Sequence, residues 1–300
     1  MIVSASYRTD IPAFYDEWFR RRLEDGFCRT VNPYGGGIYE TRLTPDAVDG
    51  FVFWTRNAEP FFDTLNAIRR RFAFVAQFTI TGYPRALERS VIETHRAVAQ
   101  MHDLARDFGP RAAVWRYDPI LIGSLTPPDW HRESFRRLAG ALAGATDEVV
   151  TSFATLYRKT RRNLAAAARL YGFDWRDPAP AEKTDLITEL AAVARDHGMR
   201  LSLCSQPEFL APGARPARCI DADRLSEIAG RSIPAKEKGN RPGCACHQSR
   251  DIGDYDTCPH GCVYCYAVQT PALARRRHRA HDPKSPFLFP PQGAVAGPSV

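Results

Sequence analysis

The chain has 300 residues, 44% hydrophobic and 25% charged, which is enough for one large domain or two ordinary ones with a packed core. It contains no apolar run long enough for a membrane-spanning helix, and MIVSASYRTD at its start lacks the basic and apolar regions of a signal peptide. The expected compartment is the cytoplasm, with no membrane partner. The net charge is +7, and of 41 basic residues only five are lysine. Arg20–Arg22, Arg69–Arg71 and Arg275–Arg277 fall in separate helix-like contexts, so they read as solvated faces rather than one nucleic-acid footprint. Nucleic acid stays open as a partner beside a small-molecule substrate.

In chain order, Met1–Tyr7 (MIVSASY) reads as a buried strand and Ala13–Leu23 as a helix, with Asp10-Ile11-Pro12 as its start signal. Phe51–Trp54 is a second strand, followed by a helix near Glu59–Arg71. Phe72–Ile80 is a third, followed by a long helix from about Pro84 to Arg106. Ala112–Arg116 is a fourth, with a helix near Asp129–Ala143. Glu148–Phe153 is a fifth, followed by helices over Leu156–Tyr171 and Glu182–His197, and Met199–Cys204 is a sixth. Six βα units in series predict an α/β fold with a parallel sheet. No G-x-G-x-x-G follows the first strand, so the expectation is a TIM-like (β/α) barrel, partial, of about six parallel strands.

Polar residues follow these strands: Arg8 and Asp10, then Arg56, then Gln77, then Arg116 and Asp118, then Gln206 and Glu208. Such residues at the C-terminal ends of parallel strands are what a barrel active site uses, and these eight are the candidate catalytic and substrate-facing set.

Beyond residue 210 the pattern changes. Residues 1–210 are expected to form the barrel. Residues 211–300 read as a cysteine-rich segment and basic tail packed on it, with a short helix over Ala222–Ala229, a basic helix over Val268–His281 and a Pro-rich stretch over Asp282–Val300. Five of the eight cysteines fall between Cys244 and Cys265. In a reducing compartment this clustering reads as a metal site before disulfides. A zinc site built from Cys244, Cys246, Cys258, Cys262 and Cys265 leaves at least one thiol unused. An iron–sulfur cluster fits better: Cys258-x3-Cys262-x2-Cys265 turns three thiolates inward on one tight loop, and Gly261 permits the backbone such a loop needs. Tyr264 and Tyr266 are placed to shield it, and Lys238 and Arg241 to balance charge or bind a carboxylate.

Cys258, Cys262, Tyr264 and Cys265 resemble the radical S-adenosylmethionine signature. That resemblance implies a [4Fe–4S] cluster with one open iron, S-adenosylmethionine as cosubstrate and a reducing electron donor. The stretches IVSASYRTD, VFWTRN, CSQPE, RPGCACHQSRDIGDYDTCPHGCVYCYA and HDPKSPFL are similar to an uncharacterised bacterial domain-of-unknown-function family with a C-terminal cysteine cluster of this type. The loop comes after the predicted strands rather than after the first one, so it has to fold back over the barrel mouth. Cys244 or Cys246 supplies a fourth ligand, or both anchor a second cluster with Cys204 or Cys219, or they are reactive thiols near the site. A non-catalytic iron–sulfur electron-transfer or sensor protein and a nucleic-acid-modifying or repair protein are the competing readings.

Overall fold

The computed structural model describes residues 1–33 and 35–291, so residues 292–300 of the Pro-rich stretch lie outside the described residues. The strands are β1 (Ile2–Ala5), β2 (Phe27–Val31), β3 (Ile38–Arg42), β4 (Gly50–Thr55), β5 (Ala73–Thr79), β6 (Ala113–Ile120), β7 (Ile122–Gly123), β8 (Glu148–Phe153), β9 (Trp175–Arg176), β10 (Arg200–Leu203), β11 (Ala214–Pro216) and β12 (Ser249–Asp251). The helices are α1 (Ile11–Phe14), α2 (Asp16–Asp25), α3 (Phe62–Ile68), α4 (Thr94–Phe108), α5 (Pro128–Leu142), α6 (Arg158–Tyr171), α7 (Pro180–Asp196), α8 (Ala222–Ala229) and α9 (Pro271–Arg279). No helix among the described residues is long and apolar enough to cross a membrane.

Eight strands form one sheet in the order β12-β1-β4-β5-β6-β8-β10-β11, and every pairing in it is parallel. Among the described residues β11 and β12 do not pair, so the sheet is open and no closed barrel forms. The expected α/β class and parallel sheet are present, with eight strands rather than six. The two additional strands come from beyond residue 210. Each has three residues, and Ser249-Arg250-Asp251 is wholly polar, so hydrophobic periodicity carries no signal for it. β12 pairs with β1 through Ile2 and Ser249, which seats the C-terminal segment inside the sheet.

Both faces of the sheet are covered, which is why its strands read as near-continuous apolar runs. Alternation along β4 sends Phe51 and Phe53 to one face, where they meet Phe19 of α2 with ring centroids 5.5 Å apart in each case. That face carries the main core, with Leu65 of α3, Met101 of α4, Phe135 of α5 and Leu190 of α7. Val52, with Ile2, Val75, Val114 and Val150, faces the other way onto Leu225 of α8 and Cys204, Cys219 and Cys246. The helix expected from Pro84 begins only at Thr94. The intervening stretch is a turn because its backbone pairs with the cysteine loop: Val263 N–H donates to Leu87 O at 3.0 Å and Ser90 N–H to His260 O at 2.9 Å.

Candidate functional site

A cavity of about 1020 Å³, counted with its open mouth, lies at the C-terminal ends of the strands. Its wall includes Arg8, Thr9 and Asp10 after β1, Arg56 after β4, Arg116 and Asp118 of β6, and Ser152 of β8. Cys258, Cys262, Tyr264 and Cys265 line the same space from the C-terminal loop. Five of the eight strand-end residues expected from sequence thus meet three of the five expected cysteines.

The loop is held at this mouth by buried polar contacts. Asp10 caps α1 by accepting from Ala13 N–H at 2.9 Å. Its other oxygen accepts from Arg56 N–H and from His260 Nε2–H, each at 2.7 Å. The Arg56 guanidinium pairs with Glu88 at 2.8 Å and donates to the Tyr264 hydroxyl at 2.6 Å, and that hydroxyl also bonds Glu88. Arg56 is buried, and Glu88, Tyr264 and Cys262 hold its charge in place against the cost of desolvation. Gly261 has φ +73°, and a side chain there would sit 3.3 Å from Arg89 Cβ, so the turn between Cys258 and Cys262 takes glycine.

The three loop thiols are half-buried and face the cavity. Burial pushes the Cys258 thiol well above its ordinary range, with Asp10 and the two neighbouring thiols adding to it. Burial pushes Cys262 up to about 12, against the opposing charge of Arg56. Cys265 is also raised by burial, opposed by N–H groups of Ala267 and Val268, and Ala267 N–H reaches its sulfur at 3.3 Å. Thiols held up in this way are not free nucleophiles at neutral pH; a metal replaces the proton and makes them ligands.

The remaining expected residues fall elsewhere. Arg8 lines the cavity while paired with Asp251 of β12 at 2.8 Å. Gln77 is buried away from the cavity wall and donates to Cys219 O at 2.9 Å. Gln206 ties β8 to the end of β10 through Phe153 N–H at 2.7 Å and Phe153 O at 3.1 Å. Glu208 and Lys238 are exposed and off the cavity wall, whereas Arg241 reaches the wall. Cys244 and Cys246 stand apart from the loop thiols and pack with Cys204 and Cys219. The Cys246 hydrogen bond brings the Cys244 thiol down to about 6, against partial burial. Among the described residues, no three His, Cys, Asp or Glu side chains surround one point at the spacing of a single metal ion.

Sequence reasoning did not single out Glu88, Asp251 as an ion-pair partner, or Thr9, whose buried Oγ1 has no hydrogen-bond partner among the described residues. Glu88 sits in what reads as a helix, and only the docking of the loop gives it a role.

A family model described as Domain of unknown function (DUF1848) matches residues 2–267. No curated protein and no solved structure matches the chain.

Proposed function

We propose that this chain, which belongs to the DUF1848 family of domains of unknown function, is an iron–sulfur enzyme of radical S-adenosylmethionine type. The observation that carries the reading is one cavity shared by the thiols of Cys258, Cys262 and Cys265 and by Asp10, Arg56, Arg116 and Asp118. The donor set fits a [4Fe–4S] group. Its ligands bind separate iron atoms, so they need not crowd around one point, and N–H groups directed at sulfur, as from Ala267, suit thiolates. The finer architecture belongs to the same proposal. The strands follow one another in cyclic chain order, with α2, α3, α4, α5 and α7 on one face, as in a (β/α) barrel left open at one seam.

When bound, the cluster supplies the electron for reductive cleavage of S-adenosylmethionine to a 5′-deoxyadenosyl radical that abstracts hydrogen from a substrate. The chain's own residues position and enclose. Arg56, Glu88 and Tyr264 fix the last turn of the loop. Arg241, which makes no ion pair among the described residues, offers a cation at the wall for a carboxylate. Thr9 Oγ1 offers a buried, unpaired polar atom to a bound molecule. A non-catalytic electron-transfer role requires a fourth thiolate at the cavity, and Cys244 and Cys246 stand with Cys204 and Cys219 instead.

The test is anaerobic purification, reduction, and EPR with and without S-adenosylmethionine. A [4Fe–4S] signal that shifts with the cosubstrate, with 5′-deoxyadenosine formed, is expected. Iron-free protein, or a signal unmoved by the cosubstrate with no 5′-deoxyadenosine, overturns the reading.

A further inference from the structure

Four thiols meet on the side of the sheet away from the main core. Cys204 follows β10, Cys219 follows β11, and Cys244 and Cys246 precede β12. Cys219 and Cys204 sulfurs are 3.7 Å apart, Cys219 touches Cys246, and Cys246 touches Cys244. The four form a run of contacts that spans the seam between β11 and β12, where the sheet has no ladder. We propose that Cys204, Cys219, Cys244 and Cys246 bind a zinc ion that staples the sheet across this seam.

Three observations favour zinc. Zinc–sulfur bonds of about 2.3 Å in a tetrahedron set sulfurs about 3.8 Å apart. The Cys204–Cys219 separation of 3.7 Å matches that edge, whereas thiolates on separate irons of a cubane stand further apart. Four thiolates around Zn²⁺ also leave two negative charges, and two guanidiniums reach the set. Arg116 Nη1 donates to Cys219 Sγ at 3.0 Å, and Arg241 Nη2 to Cys204 Sγ at 3.7 Å. Arg116 is shared with Asp118, while Arg241 makes no ion pair among the described residues. The third observation is that the chain is built to bring the pieces together. Gly243 has φ +72°, and a side chain there would lie 2.8 Å from Pro207 Cδ, so the Cys244–Cys246 turn is pressed against the end of β10. Across the seam, Ile220 N–H donates to Cys246 Sγ at 3.4 Å and His247 N–H to Ile220 O at 3.0 Å. Binding draws the ends of the run, Cys204 and Cys244, round one ion and releases the thiol protons to solvent, with no change of oxidation state.

The test uses full-length protein purified without oxygen or chelator, as wild type, as Cys258→Ala/Cys262→Ala/Cys265→Ala, and as Cys219→Ser/Cys246→Ser. The expected result is about one zinc per chain in the wild type and the triple variant, lost in the double variant. Cobalt exchanged into the triple variant should give thiolate charge-transfer and tetrahedral bands. No zinc and no cobalt bands in the triple variant overturn the proposal. Acid-labile sulfide held there, or a Cys204–Cys219 disulfide found by mass spectrometry, also overturns it. If the double variant does not fold, the triple variant's metal content and cobalt spectrum decide alone. Loss of iron in the triple variant tests the cavity cluster separately, so either reading can fail without the other.

Discussion

The ring of His131 is buried with both nitrogens occupied. Nδ1 accepts from the Tyr117 hydroxyl at 2.8 Å, and Nε2–H donates to Leu121 O at 3.0 Å. Burial lowers its pKa to about 4, against an ordinary 6.5. Between those values the unfolded chain takes up a proton that the folded chain refuses. The His131 contribution is therefore complete above pH 6.5 and falls away towards pH 4, by on the order of 3 kcal/mol. Urea unfolding at pH 7 and pH 4.5 should show a smaller pH difference for His131→Gln than for wild type, even though the variant is weaker at pH 7. Glu88 is the corresponding residue for the loop. Glu88→Ala leaves the Arg56 guanidinium without its carboxylate, and removing one partner of a buried pair costs about 3–5 kcal/mol. The variant should unfold at lower urea and lose iron faster on gel filtration than wild type. Gly261→Ala, strained at its positive φ, should show the same iron loss with a smaller change in urea midpoint.

At the level of elements, α8 is fixed by its first turn. Asp221 caps it by accepting from Asp223 N–H at 3.0 Å and Arg224 N–H at 3.3 Å. The buried Arg224 side chain then pairs with Asp147 at 2.9 Å and Glu148 at 2.7 Å beside the start of β8. Asp221→Ala should cost about 1 kcal/mol by urea unfolding. Arg224→Ala should cost about 3–5 kcal/mol, because two carboxylates lose their shared partner. Elements with a strong local pattern were readable: Ala222–Ala229 is a helix with the bounds its amphipathic stretch predicts, and the six longer strands of the sheet fall on the apolar runs. Elements whose reason is tertiary were not. β12 is polar because Asp251 there accepts from Ser4 and Ser6 and pairs with Arg8. The Pro84–Glu93 stretch has helix composition, yet the cysteine loop takes its backbone groups. The spacing of the loop cysteines was legible, and so were most of the strand-end residues. The partners that hold them, Glu88 and Asp251, depend on contacts across most of the chain.

At the level of the whole molecule, the strand frame and the cysteine loop are separable. The triple alanine variant of Cys258, Cys262 and Cys265 should keep the wild-type far-UV circular dichroism and lose its iron, since the main core draws on β4, α2, α4, α5 and α7 rather than on the loop. The placement of β12 has a further consequence, during synthesis. β1 is bordered by β4 on one side and by β12 on the other, and β12 lies at Ser249–Asp251. A ribosome adding about 5–20 residues per second leaves the second edge of β1 unpaired for roughly 10–40 s after β4 has emerged. The nascent chain therefore carries an open strand edge while nearly all the rest of the sheet is being made, and that edge is a target for trigger-type chaperones and for wrong pairing with a neighbouring polysome product. The thiols emerge last, onto a mouth that already exists.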